Sequence, residues 1–196
     1  DTILLPEGTT SGKDILGFPL THTNNGWLNL SGAEYVDAGI SSPLDFEGDE
    51  PFSIMCWVKP DALELMAFCY KRSSNTGYIF QMHDDGTLEA STGTGSALEA
   101  SRTTTTISAG VWTHIVMVRT GSYGKLIFYK NGVLMTNDDD PDHTAMSAAT
   151  TTVLTIGEHG GSRFWKGNID EFMLYNRELS EPEITKNYKH GLSKHS

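Results

Sequence analysis

From Phe52 onward the chain alternates with a period of two. Phe52, Ile54, Cys56 and Val58 interleave with Ser53, Met55, Trp57 and Lys59, and alternation of this kind marks a strand with two distinct faces. Both faces carry apolar residues here, so neither is expected to be fully wet. Met66–Arg72 and Tyr78–His83 read as the next strands, and Asp84-Asp85-Gly86 turns into Thr87–Ala90. The Thr/Ser/Gly/Ala-rich stretch 91–110 is expected to hold one short strand among loops. Trp112–Thr120 alternates again. Lys125–Lys130 and Val133–Thr136 flank Asn131-Gly132, a strong hairpin signal because both turn residues need positive φ. Thr152–Ile156 and Trp165–Tyr175 supply the last strands, with an acidic loop at 137–148 before them.

One helix is predicted, over 180–190. Ser180 stands at its cap, Pro182 in its first turn, Glu183 three residues past the cap, and Ile184 and Tyr188 lie four apart on one face. Residues 1–25 are polar and turn-rich, with room for one short strand. About a dozen short strands with so little helix predict an all-β, two-sheet antiparallel sandwich, and the hairpins and Gly-rich turns favour a jelly roll. With 196 residues and no dividing linker, the chain reads as a single domain over 1–196.

Charge narrows the partners. Fourteen basic and 25 acidic residues give a net charge of −11. That argues against nucleic acid and anionic membrane surfaces and is compatible with cations or neutral ligands. No run of 18 apolar residues is present, so no membrane insertion is expected. The start at Asp1, with neither Met nor a signal peptide, reads as a processed protein or a piece of a larger one. Cys56 and Cys69 fall in successive predicted strands around a turn near Pro60–Asp61. One disulfide and two buried free thiols are both open. Asn29-Leu30-Ser31 is a glycosylation-type sequon.

The C-terminal third carries a more specific pattern. Gly110-Val111-Trp112-Thr113-His114-Ile115-Val116 precedes Leu126–Gly132. Then follow Ile156-Gly157, Phe164-Trp165-Lys166-Gly167-Asn168-Ile169-Asp170-Glu171-Phe172, and Leu174-Tyr175-Asn176-Arg177-Glu178-Leu179-Ser180. With Tyr35-Val36-Asp37 and Phe52–Pro60 upstream, this order resembles the laminin-G-like domains of the concanavalin A-like lectin/glucanase superfamily over residues 27–190. The resemblance implies the jelly roll. It does not imply one activity, because the fold hosts lectins, adhesion modules, glycosidases and lyases.

Catalysis has little support in the sequence. The superfamily's glucanases carry Glu-x-Asp-x-Glu on one strand, and no such triplet occurs here. Asp49-Glu50 and Asp170-Glu171 are adjacent, and adjacent strand residues face opposite ways. Gln81-Met82-His83 matches the Gln-x-His strand of the superfamily's alginate lyases, but their Arg-Glu strand and Tyr-Lys motif are not matched. No histidine pair has zinc-ligand spacing.

Two places invite a cation. Asp170 is expected to share a strand face with Phe172 and Leu174, where a lone carboxylate needs a counter-charge or several donors. The resemblance implies a structural calcium there, held also by carbonyls of the N-terminal segment; bonds from backbone N–H groups or a Lys or Arg partner are the alternative. Asp138, Asp140 and Asp142 form an oxygen-rich loop, suited either to weak calcium binding or to plain solvation.

Aromatic rings beside polar loops suit sugars, whose faces stack while their hydroxyls bond to polar groups. Trp27, His159, Arg163, Phe164 and Trp165 are the ligand-binding candidates. The expectation is a non-catalytic module for a glycan or surface protein, extracellular or on a particle surface, with calcium as its cofactor. A structural or adhesion domain seated on its parent chain or a virion assembly is one alternative, and a divergent polysaccharide hydrolase or lyase is the other.

Overall fold

A computed structural model describes residues 2–4, 26–40, 42–121, 124–137 and 142–196. Thirteen strands, one α-helix and a short 3-10 helix (Ser42–Leu44) are found among them. The first sheet contains β1 (Thr2–Leu4), β2 (Leu28–Ser31), β4 (Phe52–Pro60), β9 (Thr113–Arg119), β10 (Leu126–Lys130), β11 (Val133–Leu134) and β13 (Lys166–Tyr175). It runs β1-β13-β4-β9-β10-β11, with β2 also on β13. The second sheet contains β3 (Val36–Asp37), β5 (Met66–Ser73), β6 (Thr76–Met82), β7 (Thr87–Thr94), β8 (Leu98–Thr106) and β12 (Thr155–Ile156), in the order β3-β12-β5-β6-β7-β8. All pairings are antiparallel. This is the predicted jelly-roll sandwich.

The core lies between the sheets. Phe52, Ile54, Cys56 and Val58 of β4 meet Met66, Phe68, Cys69, Tyr78, Phe80 and Met82 of β5 and β6. The other face of the first sheet carries Met55, Val116, Val118, Tyr129 and Tyr175, over which α1 (Glu181–Gly191) lays Ile184. That second layer explains why β4 is apolar on both faces. Ile184 is fully buried, which contributes roughly 1.5–3 kcal/mol to docking the helix. The Glu183 carboxylate accepts hydrogen bonds from Ser180 N (2.9 Å) and Oγ (2.8 Å) at the helix start, as the spacing predicts.

Three expectations are corrected. The stretch 91–110 holds more strand than expected: β7 continues to Thr94 and β8 spans nine residues. Thr and Ser pair well in ladders despite their loop-like composition. Cys56 and Cys69 do not flank a hairpin, because β4 and β5 belong to opposite sheets. Both are buried free thiols. Finally, Asp170 does not share a face with Phe172 and Leu174. Glu171 adopts φ 48° and the register with β4 slips between Asp170 and Met173. This bulge reverses the phase of the strand, so Phe172 and Leu174 face the core while Asp170 pairs with Trp57 on the helix side.

Candidate functional site: the outer face of the second sheet

No described helix or strand packs on the outer face of the second sheet. Register decides what stands there. Tyr78, Phe80 and Met82 point into the core, so Ile79, Gln81 and His83 stand on the opposite face, where Ile79 and Gln81 are themselves buried and His83 is half-buried. The turn after β6 sets Gln81 opposite Glu89, and β8 sets Arg102 opposite Glu89. On the other side Ala67 pairs with Gln81. One row thus crosses four strands: Ala67, Gln81, Glu89, Arg102.

Hydrogen bonds tie this row together. Gln81 Nε2 donates to Glu89 Oε1 at 2.7 Å, and His83 Nε2 lies 3.1 Å from Glu89 Oε2. Arg102 bonds to Thr87 Oγ1 (2.7 Å) and to Asp85 Oδ2 (2.7 Å). The Thr87 side chain, then its backbone N–H, then Arg102 hold the Asp85 carboxyl well below the usual range.

The β12–β13 connection completes the face. Gly160 and Gly161 both have positive φ (52° and 83°), and His159 and Ser162 pair across them, the form of a two-residue hairpin. Gly161 N donates to the Glu158 carboxylate. The His159 ring sits 4.6 Å from the Tyr70 ring. Arg163 adopts φ 49°, a conformation that costs a non-glycine residue about 1–3 kcal/mol and tends to occur at functional sites. Its carbonyl accepts a bond from Ala67 N (3.0 Å), and its Nη1 donates to Gln81 Oε1 at 2.9 Å. Ala67 stands between the two in the register, and its small side chain leaves the guanidinium room to cross. Tyr70, which shares this face, also has Arg72 5.9 Å above its ring.

Of the ligand residues expected from sequence, the fold brings His159 and Arg163 to this face. Phe164 is half-buried next to Arg163. Trp165 is fully buried, 4.9 Å from Phe68, and does not reach the surface, because it follows the core-facing phase of the sandwich. Trp27 is elsewhere, edge-on to Trp112 at 5.4 Å. Tyr70, Arg72, Glu89 and Arg102 also stand on this face and are not among the residues that the sequence singles out. The two-residue alternation and the Asp84-Asp85-Gly86 turn carried the signal for Glu89, since together they set it opposite Gln81.

The cation candidates also separate. Asp138 and Asp140 lie outside the described residues. Asp142 is exposed, 4.0 Å from Lys125. Asp170 Oδ2 lies 2.8 Å from His195 Nε2 and 2.9 Å from Lys194 Nζ, and its Oδ1 accepts from Glu171 N. Burial raises its pKa, but the bonds from His195 and Lys194 outweigh that and hold it below the ordinary value. The bulge also turns the Glu171 carboxylate toward the same place, 3.9 Å from Lys194 Nζ. The two adjacent carboxylates therefore do not face opposite ways. Asp170, Glu171 and His195 bring ligand atoms within 4.8 Å of one another, and the Lys194 ammonium already stands among them. The described residues thus provide Asp170 with an internal counter-charge.

A laminin G family model, described as Concanavalin A-like lectin/glucanases superfamily, matches residues 30–185. The chain belongs to this superfamily. Among solved structures, this superfamily member is similar to domain 4 of AbnA, a GH43 extracellular arabinanase from Geobacillus stearothermophilus, in complex with arabinotriose. The likeness covers 89% of this chain and 84% of that one, at 20% identity and a TM-score of 0.67. It is also similar to the binding domain of Paraclostridial Mosquitocidal Protein 1 (16% identity, TM-score 0.63), covering 84% of this chain but only 42% of that one. A heptameric SAP-like pentraxin from Limulus polyphemus is similar at 17% identity and a TM-score of 0.55, over 77% of this chain and 79% of that one. At these identities the likenesses show the fold. No curated protein sequence matches the chain.

Proposed function

We propose that the protein is a non-catalytic, lectin-like module that binds an oligosaccharide across the outer face of the second sheet, within a larger extracellular protein. The observation that carries this reading is the hydrogen-bonded row Arg163–Gln81–Glu89–His83 beside the Tyr70 and His159 rings. It joins ring surface for stacking with polar groups held in place for hydroxyls. The AbnA domain, solved with arabinotriose, supports it by analogy of fold. The carboxylates of this face suit binding better than catalysis. A general acid needs a raised pKa, whereas Asp85 is depressed and tied to Arg102, and Glu89 is bonded on both oxygens.

A glycan array on the whole chain, followed by calorimetry on the retained saccharide, tests the reading. Tyr70→Ala and Gln81→Ala should each weaken binding at least tenfold, while Trp27→Ala should not. Loss with Trp27→Ala and retention with Tyr70→Ala would move the site to the other sheet.

Calcium at Asp170 is a separate proposal with one condition: the ion must displace Lys194. Chelator should leave the melting temperature of the parent unchanged, and added calcium should raise that of Lys194→Ala. A parent destabilised by chelator would show that Lys194 is not the resident counter-charge.

A further inference from the structure

The saccharide face has one end whose charge is not balanced. Five lysine and arginine side chains in the described structure meet a carboxylate within 3 Å: Lys71 on Asp45, Arg102 on Asp85, Lys166 on Glu64, Arg177 on Glu183 and Lys194 on Asp170. Arg72 and Arg163 have no such partner among the described residues. Arg72 stands over the Tyr70 ring, which packs on His159, and Arg163 lies on the same face, bonded to Gln81. Both charges reach His159, whose pKa is lowered by its burial and then by Arg163 and Arg72. In a chain of net charge −11, an unneutralised cationic cluster runs against the overall balance.

The same cluster holds unsatisfied polar atoms. Arg72 Nε and His159 Nε2 are buried without a hydrogen-bond partner. Buried groups of this kind are uncommon, and each is costly unless a partner arrives. A planar guanidinium is suited to a carboxylate or an ester sulfate, which it can hold through two parallel bonds. The bond from Arg163 Nη1 to Gln81 Oε1 holds one such group at the rim of the face.

We infer that Arg72, Arg163 and His159 form an anion subsite, so that the saccharide bound here is an acidic one, carrying a uronate carboxylate or a sulfate ester. This rests on the saccharide-binding reading above and names the class of sugar. The anion lies between the two guanidiniums while its ring stacks at Tyr70, and the neutral part of the chain runs along Gln81, Glu89 and His83. The net charge of −11 opposes long polyanions, so a short oligosaccharide with one or few acid groups is the form that fits.

Calorimetry on the whole chain at 0.1 M salt tests this with trigalacturonate, its neutral methyl ester and a sulfated trisaccharide. An acidic sugar should bind at least tenfold more tightly than the ester, and Arg163→Gln and Arg72→Gln should each bring that ratio to about one. Arg72→Lys, which keeps the charge, guards against a folding defect and should retain part of the preference. A preference for the sulfated sugar over trigalacturonate, with the same arginine dependence, supports the sulfate form. Equal affinity for acid and ester, or a preference untouched by both arginine variants, overturns the inference and leaves the saccharide site standing. Failure of all three probes and of the glycan array overturns both.

Discussion

His114 pairs with Trp57 across β4 and β9, with its ring 5.4 Å from that of Trp57 and 6.1 Å from that of Tyr188. Neither ring nitrogen has a hydrogen-bond partner. Burial, with a smaller contribution from the charge of His195, pushes its pKa down to about 4. An unfolded histidine takes up a proton near pH 6.5, so between about 4 and 6.5 the unfolded chain binds more protons. Stability is complete above 6.5 and falls as the pH drops toward 4. The stability lost across this range is about 3 kcal/mol. Urea unfolding between pH 7 and 4 should show this loss, and His114→Phe should flatten it. An unchanged slope in the variant would place the titration elsewhere. His159, also depressed, acts in the same direction.

At the scale of elements, β13 and the C-terminal tail act together. The bulge at Glu171 sends Asp170 to the helix side, and the chain after α1 returns to meet it. His195 is buried, stacked on Trp57 at 4.3 Å with 10° between planes, and edge-on to Trp112 at 4.7 Å. Its Nδ1 faces Gly191 O at 2.8 Å and its Nε2 faces Asp170. Both partners are acceptors. His195→Ala should lose the hydrogen bond to Asp170 and the stacking, about 1–3 kcal/mol from the bond. A double-mutant cycle with Asp170→Asn should show clear coupling, and strictly additive losses would argue against the His195–Asp170 bond. Little of this was legible in the sequence. Lys194 and His195 lie past the helix with no periodicity to place them, and a bulge at Glu171 breaks the two-residue alternation of the strand.

For the whole molecule, the sandwich sets β4 in one sheet and β5 in the other, so Cys56 and Cys69 enter a shared core from opposite sides. Burial pushes the Cys69 thiol up to about 12, and that of Cys56 also rises well above its ordinary value. Buried, protonated thiols are poor nucleophiles. A thiol-specific disulfide reagent should label neither cysteine in the native chain and two per chain after denaturation, and reductant should leave the melting temperature unchanged. One or more native equivalents would contradict this packing.

Local pattern determined most of the strands outside 91–110, the Asn131-Gly132 turn and the start of α1, because each depends on side-chain alternation or backbone conformation within a few residues. It also placed Gln81 and His83 on one face of one strand. Tertiary structure decided which sheet face carries a second layer. Only the sheet order brings Arg163 across Ala67 to Gln81, and only the docking of α1 covers the first sheet while leaving the second sheet's outer face free of described helices and strands. The same long-range closure buries Trp165, which local pattern left free to face a ligand. Asp170 owes its partners to residues 24 and 25 positions away. Such contacts follow from chain return and packing, which no local spacing encodes.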